Sequence, residues 1–436
     1  MSINENIQFI IGGAGTGKTT KIINMMMNKK FEKLMFLALT HSAVNNLKER
    51  YIKTVNSEQN DLNEHFKTIH SYFKIIIKDN ITLDYINTPN NYYKYLIIDE
   101  VSLISVHLLN QIIKYALDYD VKLFILGDIL QLPSVKLENE IVLNDTVLNL
   151  LSTYFNKIDV MNNLNVSLKV IKHFVKTILS ESNFKIYKHL ILTENLRSEK
   201  EIITFVNTMM DLKIDNNTKK NMIKKKIIYL SDISKDDNLF NEFVKGLKLS
   251  SRYSLLGELN DYIKNKNKLK NGKVNNNYVK TKIGYLQTDE LILMKSLNKH
   301  FLNGDKVKYQ SQTNDYVIIS NEDETRTIYT EFENVLPVGF LTIHKAQGRE
   351  NDNVFIVIDS LFEPAMIYTA ITRAVKSFRF IVINRNNEDE IIKNLIDDFN
   401  ALGVIRMFIN WGVYNFMKVL EFNELYEIMN LINLTT

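Results

Sequence analysis

The chain of 436 residues contains no cysteine, which excludes disulfides and any thiolate-held zinc cluster. Its eight histidines are scattered without metal-ligand spacing, so no resident metal centre is expected. Apolar runs are short and broken by lysine, asparagine or glycine, and none approaches the roughly 18 uninterrupted residues of a membrane span. Residues 1–6 are polar and lead straight into an apolar strand, leaving no room for a signal peptide. Neither charge sign dominates: the formal net charge is only +4, too small to argue for a polyanionic partner. With 45% hydrophobic residues, a disordered chain is excluded and a substantial core is expected, divided over about two to four domains. The abundance of asparagine, lysine and isoleucine matches an AT-rich coding genome and says little about chemistry.

Residues 12–19 read Gly-Gly-Ala-Gly-Thr-Gly-Lys-Thr directly behind the apolar run Ile7–Ile11. A strand, a glycine-rich turn and a helical stretch in that order make a nucleotide-binding P-loop. Across Gly12, Gly13, Ala14, Gly15, Thr16, Gly17, Lys18, Thr19 and Thr20, successive backbone N–H groups can close around the β- and γ-phosphates. Lys18 then neutralises phosphate charge and the Thr19 hydroxyl ligates Mg²⁺ carried by the nucleotide.

Around this motif, residues 1–135 alternate short apolar strands (Gln8–Ile11, Leu34–Leu39, Tyr95–Ile98, Val121–Leu126) with helical stretches at Lys18–Met27 and Ser42–Lys53, the pattern of a parallel, doubly wound sheet. Residues 136–190 carry helical rhythm with few turn signals and read as a mostly helical insertion. A second α/β unit is expected over 191–384, with strands at Tyr253–Leu256, Val354–Ile358 and Phe378–Ile383. Inside it, the lysine- and asparagine-rich run Ile263–Lys282 suits an exposed arm. Asp305–Tyr309, Tyr316–Ile319 and Arg326–Phe332 fit strands of a small inserted barrel at about 300–335. Residues 385–436 read as a helical tail anchored by Trp411, Phe416 and Phe422.

Two carboxylates, Asp99 and Glu100, end the apolar run Tyr95–Ile98 about eighty residues after the P-loop. At the carboxyl end of a buried strand, Asp99 can hold Mg²⁺ through its shell while Glu100 polarises water; a helix cap is the plainer use of such a pair. Gln131, behind Leu123–Leu126 and Gly127-Asp128, has the amide a γ-phosphate sensor needs, since it can contact phosphate and attacking water together.

GGAGTGKT, Leu39–Ala43, Thr68–Ser71, IIDEVS, GDILQLPSV, Glu194–Ser198, LTIHKAQGRE and IYTAITRA, eight motifs in order from residue 12 to 374, resemble superfamily 1 helicases, most closely the RecD-like and Dda-like branch. The resemblance implies two RecA-like P-loop motor domains with an SH3-like barrel, ATP and Mg²⁺ as cofactors, and 5′-to-3′ movement on single-stranded DNA toward duplex junctions. It implies that Arg197 and Arg373 reach the γ-phosphate from the second domain, where an arginine finger contributes about 10³ to 10⁵ in rate. It also implies that Glu350 contacts ribose, and that Thr40, His41, Thr68, His70, Thr342, His344 and Lys345 line the strand channel, gripping phosphate and sugar without sequence preference. Replication or recombination proteins are the expected partners and a cytoplasmic site (nucleoid or viral replication site) the expected location; the oligomeric state is left open, with a monomer among the expectations.

Two departures stand out. Relatives carry a glutamine-bearing helix upstream of the P-loop that reads adenine, whereas eleven residues precede Gly12 here and Gln8 lies within the strand. The interval from His70 to Asp99 is short, leaving little space for a strand-separating hairpin. An RNA helicase of viral superfamily 1 type, or a nucleic-acid remodelling module using ATP as a switch without unwinding, are the competing readings.

Overall fold

The computed structural model describes residues 4–411 apart from 56–61, 79–80, 84–92, 105, 129, 133–186, 193, 272–277, 289, 299, 314, 322–323 and 360–361. Its first half is built on strands β1 (Asn4–Gly12), β2 (Leu34–Ala38), β3 (Phe66–Thr68), β4 (Ile76–Lys78), β5 (Ile81–Leu83), β6 (Tyr95–Ile98), β7 (Lys122–Gly127) and β8 (Tyr187–Leu192). Six of these form one sheet in the order β3-β2-β6-β7-β1-β8, with every neighbouring pair parallel. Alternation along each strand divides the core between the two faces of the sheet. Ile7, Phe9, Met35, Leu37, Leu96, Ile98, Leu123 and Ile125 pack against helix α3 (Val106–Asp118). Ile10, Phe36, Ile97, Phe124 and Leu126 meet helices α1 (Lys18–Met26) and α2 (His41–Val55) on the opposite side.

Two expectations change here. Strand β8 pairs with β1, so residues 187–192, which the sequence rhythm assigns to the end of a helical insertion and the start of the second unit, complete the first sheet. The His70–Asp99 interval, expected to leave little room for a hairpin, contains the antiparallel pair β4–β5. Otherwise residues 136–186 lie outside the described residues.

The second half contains helix α4 (Lys200–Met210), strand β9 (Ile227–Tyr229), helix α5 (Asp237–Lys245), strand β10 (Leu247–Ser250) and helix α6 (Tyr253–Asn271). Strands β11 (Tyr278–Thr281), β12 (Gly284–Gln287), β13 (Glu290–Leu293), β14 (Lys306–Gln312), β15 (Tyr316–Ser320), β16 (Thr327–Glu331) and β17 (Val335–Pro337) follow. It closes with β18 (Phe340–Thr342), β19 (Asn351–Val357), helix α7 (Pro364–Ile371), β20 (Ala374–Val382) and helix α8 (Glu388–Trp411). A second parallel sheet has the order β18-β10-β19-β20-β9. Strands β13 to β17 form an antiparallel sheet in the order β16-β15-β14-β13-β17 with its own core of Leu291, Leu293, Val307, Val317, Ile319 and Val335.

Tyr253–Leu256 is therefore helix and not strand. Leu255, Leu256, Leu259 and Ile263 are all buried, a one-sided helical stripe that the four residues Tyr253–Leu256 do not reveal. The run Ile263–Lys282, expected as an exposed arm, continues α6 to Asn271 and resumes as β11, where Val279 is buried. Buried Ile392, Leu395, Phe399 and Leu402 seat α8 on the second core, while Phe416 and Phe422 lie outside the described residues, as does the side chain of Trp411. Among the described residues no helix is long and apolar enough to cross a membrane.

The strand that the sequence obscures is β10, because Lys248 stands at its centre. Lys248 is 1% exposed. Its ammonium donates to the carbonyls of Phe243 (3.1 Å), Val244 (2.7 Å) and Gly246 (2.6 Å), which belong to and follow the last turn of α5. A buried cation thus satisfies carbonyls that a helix end leaves without partners, and the Phe340 ring covers it at 4.6 Å. Lys248→Met keeps the apolar stem but strands those oxygens. It should cost about 1–3 kcal/mol and lower the thermal midpoint by several degrees; an unchanged melt would show that the capping is not stabilising.

Candidate nucleotide site and strand-facing loops

The P-loop leaves β1 at Gly12 and enters α1 at Lys18. Gly17 at the helix start has φ +75°, a left-handed conformation that costs any side chain but glycine's. Lys18 Nζ lies over the loop, donating to Gly12 O at 2.7 Å and Gly13 O at 2.9 Å. Burial lowers its pKa, against the opposing pull of Asp128 and Asp99. At the end of β6, Asp99 accepts from Thr19 Oγ1 at 3.0 Å and from the Glu100 backbone N–H at 2.9 Å. Glu100 has φ 57°, an uncommon conformation for a non-glycine residue, and one of its carboxylate oxygens is buried without a hydrogen-bond partner. Burial, and then the charge on Asp99, pushes its pKa up to about 7, against the pull of Arg373, Arg50 and Lys18.

The opposite wall comes from the second half of the chain. Arg197 and Arg373 line the same cleft as Lys18, Thr19, Asp99, Glu100, Gln131 and Glu350. Arg373, at the end of α7, is 3% exposed and tied to Thr369 O at 3.0 Å and Arg349 O at 3.4 Å. Burial and then neighbouring Arg197 lower its pKa to about 10, while Glu100 and Glu350 act in the opposite direction. Gln131 Nε2 donates to Asp128 at 3.1 Å. Glu350 bridges two arginines through one oxygen, Arg197 at 2.6 Å and Arg50 at 2.8 Å. A wider opening beside the cleft is lined by Thr20, Lys21, Asn24, Thr54, Glu194 and Leu196.

The expected strand-contacting residues fall into two groups. Thr40 and His41 follow β2, and Thr68 and His70 end and follow the adjacent β3, so parallel pairing brings all four to one edge of the first sheet. The Thr40 hydroxyl accepts from Ala43 N and that of Thr68 from Ser71 N, so both also cap helical turns. Thr342 ends β18 and is buried; His344 and Lys345 sit in the turn after it. Lys345 Nζ donates to Asn303 Oδ1 at 3.3 Å, and burial followed by the like charges of Arg349 and Lys282 lowers its pKa. The turn holding Asn303 and Gly304 stands between the groups, with Gly304 beside Ser42 and its carbonyl bonded to Arg349.

An AAA-domain family model matches residues 1–137, and a UvrD-like helicase C-terminal domain model matches residues 337–381. The two matches fall on the two walls of the cleft. The chain is thus similar to an AAA domain on its first wall and to a UvrD-like helicase C-terminal domain on its second. Its fold is similar to that of Pif1 in a structure of two coordinating Pif1 helicases at forked double-stranded DNA, at a TM-score of 0.50 and 20% identity, covering 90% of this chain and 92% of that one. Pif1 from Candida albicans is also similar, at a TM-score of 0.48 and 18% identity, covering 91% and 99% of the two chains. Pif1 from Bacteroides in complex with ADP-AlF3 and single-stranded DNA gives 0.45 and 18%, covering 88% and 92%. A search of curated protein sequences finds no match.

Two side chains that join the halves of the molecule escape the sequence pattern. The Tyr368 hydroxyl, on α7, accepts from the Ala14 backbone N–H at 3.3 Å and donates to Asp128 Oδ2 at 3.0 Å, fastening the P-loop to the second half. Asn195 Nδ2 donates to Ala14 O at 2.7 Å, a second stitch. Both residues lie inside recognised motifs, which is the only signal that marks them. Tyr368→Phe leaves a buried N–H and a buried carboxylate oxygen each short of a partner. Chemical denaturation should show a loss of about 1–3 kcal/mol with an unchanged m-value, and equal stability would argue against the fastening.

Proposed function

We propose that the protein is an ATP-dependent DNA helicase and translocase that moves 5′ to 3′ on single-stranded DNA and couples ATP hydrolysis to opening of duplex junctions. The observation that carries this reading is the convergence of Arg197 and Arg373 with Lys18, Asp99 and Glu100 on one cleft. A site divided between two halves of a chain closes and opens with the nucleotide, which is what a motor requires. DNA unwinding at forks, named for the similar Pif1 pair, accords with this assignment.

The side chains fit a nucleotide with Mg²⁺. The Thr19–Asp99 pair offers two oxygen ligands, which suits Mg²⁺ that keeps several waters and takes the rest of its shell from phosphate. Among the described residues no cluster of three acidic or histidine side chains is present to hold a metal by itself. When bound, the ion offsets charge on the β- and γ-phosphates. Lys18 exchanges its loop carbonyls for phosphate oxygens. Glu100 accepts the proton of a water whose oxygen bonds to the γ-phosphorus as the bond to the ADP oxygen breaks, and Gln131 orients that water. Arg197 and Arg373 stabilise the charge of the transferred group, with Arg197 leaving Glu350, which turns to ribose.

In this reading residues 1–135, together with 187–192, are the first motor domain, and 193–384 the second. The β13–β17 sheet is a barrel-like clamp pressing the strand against Thr40, His41, Thr68 and His70 on one side and Thr342, His344 and Lys345 on the other. The β4–β5 hairpin supplies the wedge at the junction.

Unwinding of duplexes bearing either a 5′ or a 3′ single-stranded tail tests the function, with opening expected only from the 5′ tail; stimulation by RNA and not DNA would favour the viral RNA-helicase alternative. Lys18→Ala should abolish DNA-stimulated hydrolysis, whereas Arg373→Ala should lower turnover about 10³-fold or more with nucleotide binding nearly intact. Normal turnover in both variants would refute the site. Because Glu100 is protonated below a pKa of about 7 and must be ionised to accept a proton, kcat/KM should rise from pH 6 to pH 8 with its midpoint near 7. A flat profile in that range would remove Glu100 from the role of base.

A further inference from the structure

Helix α2 carries Ser42, Asn46, Arg50 and Thr54 at steps of four, so they share one face. That face meets the rest of the molecule at successive points. Ser42 lies beside Gly304, where an added Cβ would stand 3.4 Å from the serine Cβ. Asn46 Nδ2 donates to Gly348 O at 2.6 Å, and Arg50 pairs with Glu350 at 2.8 Å. The turn that receives the last two, Gln347–Glu350, is closely fitted. Gly348 has φ +76°, and a Cβ there would lie 3.1 Å from Glu100 Oε1 and 3.3 Å from Asn46 Nδ2. The next carbonyl in the turn, that of Arg349, accepts from Arg373 at 3.4 Å.

One amide thus holds a turn of the second half that abuts the carboxylate of Glu100, bears Glu350 and supports Arg373. At its other end the helix begins at His41, in the loop assigned to the single strand. A continuous helix moves as a rod, so displacement of its first turn reaches Asn46 little more than one turn away. We propose that Asn46 is a positioning residue through which a strand bound at the head of α2 controls whether the Gln347–Glu350 turn is seated for hydrolysis. This coupling role rests on the functional reading above. Through it, strand occupancy at the head of α2 is transmitted to the nucleotide cleft.

The test measures ATP turnover with and without a single-stranded DNA oligonucleotide in the full chain, for the unaltered protein, Asn46→Ala and Asn46→Asp. Aspartate keeps the shape of asparagine but removes the donor and sets a carboxylate against the Gly348 carbonyl, so a packing role would survive it. Both variants should lower the DNA-stimulated kcat about tenfold or more, with aspartate the more severe, while KM for ATP stays within about threefold. DNA-stimulated kcat within about twofold of the unaltered protein in Asn46→Asp overturns the inference. So does a fall in thermal midpoint or a rise in KM that leaves the ratio of stimulated to unstimulated turnover intact, because that marks a structural side chain. If the unaltered protein itself shows no stimulation by DNA, the functional reading fails and this inference falls with it, an outcome distinct from the other two.

Discussion

The cleft between the two parallel sheets depends on the mutual compensation of charges drawn out of water. Four cations (Lys18, Arg50, Arg197, Arg373) and four carboxylates (Asp99, Glu100, Asp128, Glu350) line it, a formally even balance. Desolvation works against both signs, raising the pKa of Glu100 and lowering those of Lys18 and Arg373. Each charge is tolerable there because an opposite one stands near. The arrangement is also replaceable: Glu350 occupies two arginines, and Lys18 two loop carbonyls, with contacts that an incoming triphosphate can take over.

The architecture explains why such a balance arises at this place. A parallel sheet sends the carboxyl ends of all its strands to one edge, so β1, β6 and β7 deliver the P-loop, Asp99-Glu100 and Asp128 side by side. The second sheet contributes Arg373 through α7 and Glu350 through the turn before β19. Tyr368 and Asn195 then bond directly to the P-loop, so the two walls share hydrogen bonds as well as charge. The residues expected to contact a single strand occupy the same carboxyl edges, at β2, β3 and β18. They and the residues expected to contact a nucleotide are therefore near neighbours by construction.

The elements legible in the sequence are those whose signals are contiguous. The phosphate loop and the strand that ends in Asp99-Glu100 are local: glycine conformation, apolar periodicity and adjacent acids identify them without the rest of the chain. Legibility failed where local signals were ambiguous. A lysine inside β10 disguised a strand, because its three carbonyl partners at the end of α5 are invisible to periodicity. Tyr253–Leu256 passed for a strand because so short a stretch suits either period. The polar composition of 263–282 hid a helix whose buried face needs few positions.

By itself, then, the order of residues determined where a glycine-rich loop joins β1 to α1, which acids stand at strand ends, and which family the motifs resemble, because backbone conformation and side-chain chemistry act within a few residues. Only the tertiary structure decided that Glu350 bridges Arg50 and Arg197, that Tyr368 fastens Ala14 to Asp128, and that Asn46 reaches Gly348. Those contacts span from 153 positions, for Arg197 and Glu350, up to 354 for Tyr368 and Ala14. Their physical basis is burial and hydrogen bonding between chain segments brought together only by the packing of two sheets, for which no local pattern of residues exists.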